Sequence, residues 1–502
     1  MTAQLIFGDA SWSGDEVNDR SLRLAGGLAQ MGMAEGDVVA IMLRNDPAYI
    51  DIMQGARIAG CYCCQVNWHF KADEVGYILQ DSGTRVFFID EDLLPAVAAA
   101  IPSSVTVIPV RLHGQADSAT GADDYHRWLA VQVPYAGSPR APRGNMAYTS
   151  GTTGRPKGVR RFPAPADQQA AQQQRVLSLV GQTLGIAPGV RTLISAPLYH
   201  SAACLFAQQS MLHGECMVLG ARFDAEQTLA SIERHRVQVA YLVPVMYVRM
   251  LRLAPEVRAR YDLSSLQFVA STGAPCAPEV KRAMIDWLGP VIYETYASSE
   301  TGLLTVADPE TALRKPGCAG RPVGGAVIRI YDVDGKPCAP GEVGVVYARQ
   351  PAYADFTYNN NDAARRAIER DGLISVGDMG YLDEEGDLYI CDRASDMVIS
   401  GGVNIYPSEI EHALIALSGV ADCVVFGIPD DEYGESLAAH VVLEPEAQID
   451  AAAIAADLRE RIASYKVPRR IEIVDSLPRD DNGKIARRKI RDAYWQNRRS
   501  RI

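Results

Sequence analysis

The chain has 502 residues, too many for one ordinary hydrophobic core, so at least two domains are expected. Hydrophobic residues make up 48% and charged residues 22%, the balance of a soluble globular protein. The formal net charge of −12 argues against a general nucleic-acid binder, which needs a basic excess, yet leaves room for a locally basic nucleotide site. No apolar run approaches the length of a membrane span. Met1 to Ala10 has no basic segment followed by an apolar one, so no secretory signal is read and a cytoplasmic protein is expected. The ten cysteines are scattered, and Cys61, Cys63 and Cys64 lack the paired spacing of a zinc site. They read as small core residues of a reducing compartment.

In chain order, Ser21 to Met33 reads as an amphipathic helix, Val38 to Leu43 as a strand, Asp46 to Gly60 as a helix and Val86 to Ile89 as a strand. Such alternation predicts an α/β layer with a mostly parallel sheet. Gln168 to Gln174 reads as a polar surface helix. The alternation recurs from Ala225 to Arg236 (helix), Val239 to Val243 (strand), a helix from Val245, and Phe268 to Ser271 (strand). From Gly317 to Arg349 the texture changes to short β-branched runs, Val327 to Tyr331 and Val343 to Tyr347, separated by turns such as Asp334-Gly335-Lys336-Pro337. Beyond Arg393, a helix (Ser408 to Ser418), two strands (Val420 to Phe426, Ala438 to Leu443) and a helix (Ala451 to Ala463) read as a separate α+β domain.

The segment Tyr148-Thr149-Ser150-Gly151-Thr152-Thr153-Gly154-Arg155-Pro156-Lys157-Gly158 gathers glycines, hydroxyls and a lysine. Glycines let a backbone approach a phosphate, and hydroxyl and N–H groups donate to its oxygens. It is not the common P-loop, because Pro156 precedes Lys157 and Gly158 follows it, where that loop needs Gly-Lys and then Ser or Thr.

This segment resembles the signature of the acyl-adenylate-forming superfamily, in its acyl- and aryl-CoA ligase branch, and further matches follow in order to the end of the chain. The resemblance implies a large N-terminal domain (1–394) of two α/β layered subdomains and a small β-barrel-like subdomain, with a smaller mobile α+β C-terminal domain (395–502). It implies that Thr149, Ser150, Gly151, Thr152, Thr153, Gly154 and Lys157 cradle ATP phosphates, and that Gly273, Ala274 and Pro275 pack against adenine. Tyr296-Ala297-Ser298-Ser299-Glu300 resembles an aromatic-Gly-x-Thr-Glu motif, in which the ring stacks on adenine, the hydroxyl meets the α-phosphate and Glu300 holds Mg²⁺. Here Ala297 stands for the usual Gly, which asks either for a backbone without positive φ or for some strain, and Ser299 stands for Thr, keeping the hydroxyl. Asp378 and Arg393 would hold the ribose, with a hinge near Ser395. Gly401 and Gly402 would admit a pantetheine arm. The basic C-terminal region, with Arg469, Arg470, Arg487, Arg488 and Lys489, is read either as a site for the 3′-phosphate of CoA or as a face for an acidic carrier. Lys484, in Asp481-Asn482-Gly483-Lys484, would bridge the acid and the phosphate.

Pro197-Leu198-Tyr199-His200 resembles the segment gating the acid pocket, whose expected walls are Tyr199, His200, Cys204, Tyr241, Val243, Met246 and Thr272. No carboxylate that would bind a substrate ammonium is seen there, which favours a hydrophobic acid without an α-amine. The implied reaction uses ATP, Mg²⁺ and coenzyme A, with catalysis resting on Lys484, Glu300, Thr149 and His200. The resemblance leaves open a carrier-protein phosphopantetheine as acceptor, a luciferase-like oxidation of the adenylate, a non-catalytic nucleotide-binding module, and a homodimer.

Overall fold

A computed structural model of the chain describes residues 3–114, 125–149, 155–401, 403–445, 447–479 and 485–496. Two seven-stranded sheets form the body. The first runs in the order Phe356–Tyr358, Lys157–Arg161, Asn145–Thr149, Tyr62–Gln65, Val38–Met42, Thr84–Asp90, Thr106–Val110. Its last five strands are parallel, and the two at the near edge are antiparallel. The second runs Ile292–Glu294, Phe268–Ser271, Val239–Tyr241, Arg191–Ile194, Cys216–Leu219, Gln4–Phe7, Ala10–Trp12, parallel except for the final pair.

The central strand Val38–Met42 is buried at every residue, as a parallel strand covered on both faces must be. Between the sheets lies the helix Pro47–Ile58, buried from Pro47 through Ala56. A helix with no exposed face belongs to a shared core, and residues from both sheets pack in one hydrophobic cluster around it. Asp46 starts this helix: its side chain accepts from the Ala48 N–H at 2.8 Å, with Pro47 at the first helical position.

The strand expectations hold closely: Phe268–Ser271 and Val327–Tyr331 appear with the bounds read from the sequence. The first helix begins earlier, at Gly14, because Ser13 and Glu16 form a capping box. The polar stretch Gln168 to Gln174 opens the helix Gln169–Leu184 on its exposed side. The small β subdomain is a six-stranded antiparallel sheet that includes Val327–Tyr331, Gly344–Arg349, Asp378–Leu382 and Leu388–Arg393. The next strand, Val398–Ser400, already belongs to the five-stranded C-terminal sheet, so the changeover falls between Arg393 and Val398. That sheet packs a separate core, with Val398, Ile410, Leu414, Val425 and Ile454 at its centre.

Among the described residues, no helix is long and apolar enough to cross a membrane.

Candidate active site

The parallel strands of both sheets end at one cleft of about 2250 Å³. Ligands of open α/β sheets bind outside the carboxyl ends of the strands, where side chains from successive turns converge. Thr149 ends Asn145–Thr149, Gln65 ends Tyr62–Gln65, Thr272 and Gly273 follow Phe268–Ser271, and Val243 follows Val239–Tyr241. All of these line the cleft. So do Lys157, Tyr199, His200, Tyr241, Met246, Ala274, Pro275, Ala297, Ser298, Ser299, Glu300, Asp378 and Arg393. Ser150, Gly151, Thr152, Thr153, Gly154, Gly402 and Lys484 lie outside the described residues.

Glu300 is the centre of the polar half. It is buried, and its Oε1 accepts from the Tyr358 hydroxyl at 2.9 Å and from the Thr149 hydroxyl at 3.2 Å. Those bonds turn the carboxylate and leave Oε2 as the oxygen to offer a cation. One hard carboxylate oxygen, oriented by the Thr149 and Tyr358 hydroxyls, fits Mg²⁺, which usually takes one or two carboxylates and completes its shell with other oxygens and water. Tyr358 was not foreseen; burial first, then the Glu300 carboxylate, push its phenol above the ordinary tyrosine value, so it remains a donor. Lys157 sits opposite Thr149 in the strand pair, with its ammonium 5.1 Å from the centre of the Tyr358 ring.

In the turn that carries Glu300, the first of the two expectations for Ala297 holds. Ala297 is in a short strand, Ala297–Ser298, paired with Gly302–Leu303, and does not have positive φ. Positive φ falls instead on Gly302, at 79°, where an added Cβ would come within 2.3 Å of the Tyr353 ring. The Ser298 hydroxyl accepts from the Thr301 N–H at 3.0 Å and closes the turn. Ser299 reaches the Ser201 hydroxyl at 3.1 Å, joining this motif to the helix that begins after His200.

Asp378 and Arg393 face each other across an antiparallel pair, with Arg393 Nε 3.3 Å from Asp378 Oδ1. The Tyr296 hydroxyl donates to Asp378 Oδ2. Burial first, and the Asp378 carboxylate second, hold the Tyr296 phenol well above its usual value. Tyr296 packs with Leu304, Ile328 and Ile330 and is not among the cleft-lining residues. The structure therefore ties it to the cleft through Asp378, where the sequence expectation gave its ring to adenine.

The apolar half is walled by Tyr199, His200, Tyr241, Val243, Met246 and Thr272. The Tyr199 and His200 rings lie 4.1 Å apart, tilted by 60°, at the N-terminus of the helix Ser201–His213. Cys204 requires a correction. It is fully buried one helical turn beyond His200 and does not line the cleft. The helix carries it toward the first sheet, where Gln65 Nε2 at 3.0 Å and Asn145 Nδ2 at 3.3 Å donate to its sulfur. Gln65 and Asn145 themselves line the cleft, in the place the sequence reading gave to Cys204. Burial pushes the Cys204 thiol up to about 12, so it stays protonated at neutral pH. Cys204→Ala is expected to leave the turnover number unchanged while lowering stability by about 1 kcal/mol for the small cavity it creates, read by thermal denaturation beside steady-state kinetics.

On the C-terminal domain, Arg469 and Arg470 do not line the cleft. Arg469 pairs with Asp430 at 3.1 Å and lies over the Tyr433 ring, and Arg470 pairs with Glu472. Carboxylate partners thus match both charges, leaving less for a CoA phosphate than the sequence suggested. Gly401 has φ +57°, donates its N–H to the Tyr433 carbonyl at 2.9 Å, and is also away from the cleft. Asp475, Ser476, Leu477 and Arg479 line it instead. Ser395 lies between the two sheets, with its carbonyl accepting from Arg491 Nη1 at 3.2 Å.

Comparison with known proteins agrees with this geometry. The chain is 34% identical to the 2-succinylbenzoate–CoA ligase of Geobacillus kaustophilus over 468 residues, covering 92% of this chain and 89% of that one. It is 32% identical to the fatty acid–[acyl-carrier-protein] ligase ScoC of Streptomyces coeruleorubidus over 498 residues, covering 96% and 91%. Among solved structures, o-succinylbenzoate CoA synthetase from Bacillus subtilis, in complex with its acyl-adenylate intermediate, superposes with a TM-score of 0.81 at 27% identity, covering 98% of this chain and 95% of that one. Residues 2–355 match the AMP-binding enzyme family and residues 409–484 match the AMP-binding enzyme C-terminal domain, so the chain belongs to the AMP-binding enzyme family.

Proposed function

We propose that the chain is an AMP-forming acid–thiol ligase: it activates a hydrophobic carboxylic acid with ATP to an acyl-adenylate, and transfers the acyl group to coenzyme A. The observation that carries this reading is one cleft holding two halves. Thr149, Ser299 and Glu300 stand beside the Asp378–Arg393 pair, and the apolar walls at Tyr199, Tyr241, Val243 and Met246 adjoin them. The likeness to ligases that form CoA thioesters supports it.

The chemistry must bring two anions together. A carboxylate oxygen attacks the α-phosphorus of ATP, a P–O bond forms and the bond to pyrophosphate breaks. Mg²⁺, when bound, offsets phosphate charge. Glu300 would hold it through Oε2, oriented by Tyr358 and Thr149. Asp378 accepts from the ribose hydroxyls, and Arg393 fixes that carboxylate. Lys484 bridges the entering carboxylate and the phosphate. His200 and Tyr199 close the acid pocket and exclude water, which protects the mixed anhydride. The thiol of CoA, its proton released to water, then attacks the acyl carbon through sulfur, the bond to the AMP oxygen breaks, and AMP leaves. No side-chain nucleophile is needed.

Two domains, 1–394 and 395–502, would divide these steps by rotating about Ser395. Two features support this. Asp475, Ser476, Leu477 and Arg479 of the C-terminal part line the cleft, while Gly401 does not, and its neighbours Ile399 and Val403 are exposed, each at 46%. Apolar side chains left in water on a small hairpin are suited to a surface that is covered in a second arrangement.

A panel of fatty, aromatic and alicyclic acids, supplied with Mg²⁺, ATP and CoA, tests the reading: one class should yield an acyl-CoA and one AMP per thioester. The likeness to a carrier-protein ligase supports a second reading, in which the acceptor is carrier-borne phosphopantetheine. Free CoA and a holo-carrier compared as acceptors separate the two.

A further inference from the structure

Arg161 ends the strand that leaves the phosphate loop, and no motif of the sequence marks it. Its guanidinium Nη2 donates to two successive backbone carbonyls, Ser299 and Glu300, at 2.8 Å each. Nη1 donates to the Ala354 carbonyl at 3.1 Å. The cation is enclosed between the rings of Tyr353, at 5.0 Å, and Phe356, at 5.8 Å. A guanidinium is a rigid planar fork, so two carbonyls meeting one nitrogen fix both peptide planes. Those planes set where the Ser299 hydroxyl and the Glu300 carboxylate point.

The same strand begins at Lys157 and pairs with Asn145–Thr149 on one side and Phe356–Tyr358 on the other. Through that short frame Arg161 links Thr149, Lys157, Tyr358 and the turn itself around Glu300. We propose that Arg161 is a positioning residue for the metal–phosphate site, setting the aim of Glu300 and Ser299 from behind without touching substrate. This rests on the reading of Glu300 as the metal-holding carboxylate.

The test uses the full chain, with Mn²⁺ as the probe, titrated by electron paramagnetic resonance in the presence of α,β-methylene-ATP. Arg161→Met is expected to weaken Mn²⁺ binding about tenfold and to raise the Mg²⁺ requirement of acid-dependent pyrophosphate release by a similar factor, the range seen when a metal ligand loses its supporting hydrogen bonds. The KM for the acid should stay within about twofold, since the acid pocket lies on the apolar side of the cleft and does not use the metal–phosphate arrangement. Arg161→Lys keeps the charge but not the fork, and should recover only part of the loss.

Wild-type Mn²⁺ affinity in a folded Arg161→Met or Arg161→Lys protein overturns the proposal. If neither folds, judged by its thermal transition, Tyr353→Leu takes their place: it opens one side of the cage, and an unchanged Mn²⁺ affinity there also overturns it. Glu300→Gln separates the two levels. If it leaves Mn²⁺ affinity unchanged, the metal reading of Glu300 falls; if it weakens binding while the Arg161 variants do not, only the role of Arg161 falls.

Discussion

Lys484→Ala is expected to lower acid-dependent ATP–pyrophosphate exchange by about 10²–10³-fold while sparing thiolysis of a pre-made acyl-adenylate. The argument is electrostatic. Before bond formation, the carboxylate and the α-phosphate repel each other in a partly dry cleft, where charge interactions are stronger than in water. A lysine bridging both relieves that repulsion only as the bond forms, so its removal strikes the turnover number more than the binding of either substrate. The second half-reaction has no such encounter, because the acyl group is by then in a mixed anhydride and AMP is a good leaving group. Both half-reactions are followed on one preparation, exchange by labelled pyrophosphate and thiolysis by AMP release. Equal loss of both would contradict the proposed division of labour between the two faces of the C-terminal domain.

Glu300→Gln carries the second large effect. The substitution keeps the shape and can still accept from Tyr358 and Thr149, the two groups that hold Oε1. It removes the negative charge and replaces one oxygen by an amide that cannot ligate Mg²⁺ through nitrogen. Adenylation is expected to fall about 10²–10³-fold, with partial recovery at high Mg²⁺. The protein should remain folded, because the hydrogen bonds are kept. Adenylation at the wild-type Mg²⁺ requirement would remove Glu300 from the metal site.

What the sequence made legible follows from distance along the chain. Ser298, Ser299 and Glu300 sit on one turn, and Asp378 and Arg393 face each other across one strand pair, so a short reading frame places them. Cys204 misled because it stands four residues beyond His200, the spacing of one helix face. Its helix is apolar or small on most sides, and only the arrival of Gln65 and Asn145 from a different sheet decides which side meets the cleft. Tyr358 and Arg161 were invisible for a related reason. Their importance arises when Phe356–Tyr358 returns to pair with Lys157–Arg161, nearly two hundred positions earlier. The same non-local pairing sends Gln4–Phe7 into the second sheet beside Cys216–Leu219, where no local signal announces it. Arg469 and Arg470 read as open to an anionic partner because Asp430 lies far off in sequence and Glu472 faces Arg470 only once the strand they share is known.

The central claim is that this cleft joins an acid to AMP before a thiol takes the acyl group. Quenching a single turnover of the purified chain with Mg²⁺, ATP and a mixed acid panel, with CoA withheld, tests it most directly by mass spectrometry of the bound products. The account predicts an enzyme-bound acyl-adenylate with pyrophosphate formed in equal amount, converted to acyl-CoA and AMP when CoA is added. Release of ADP and phosphate, or acyl-CoA formed with no adenylate preceding it, would contradict the account.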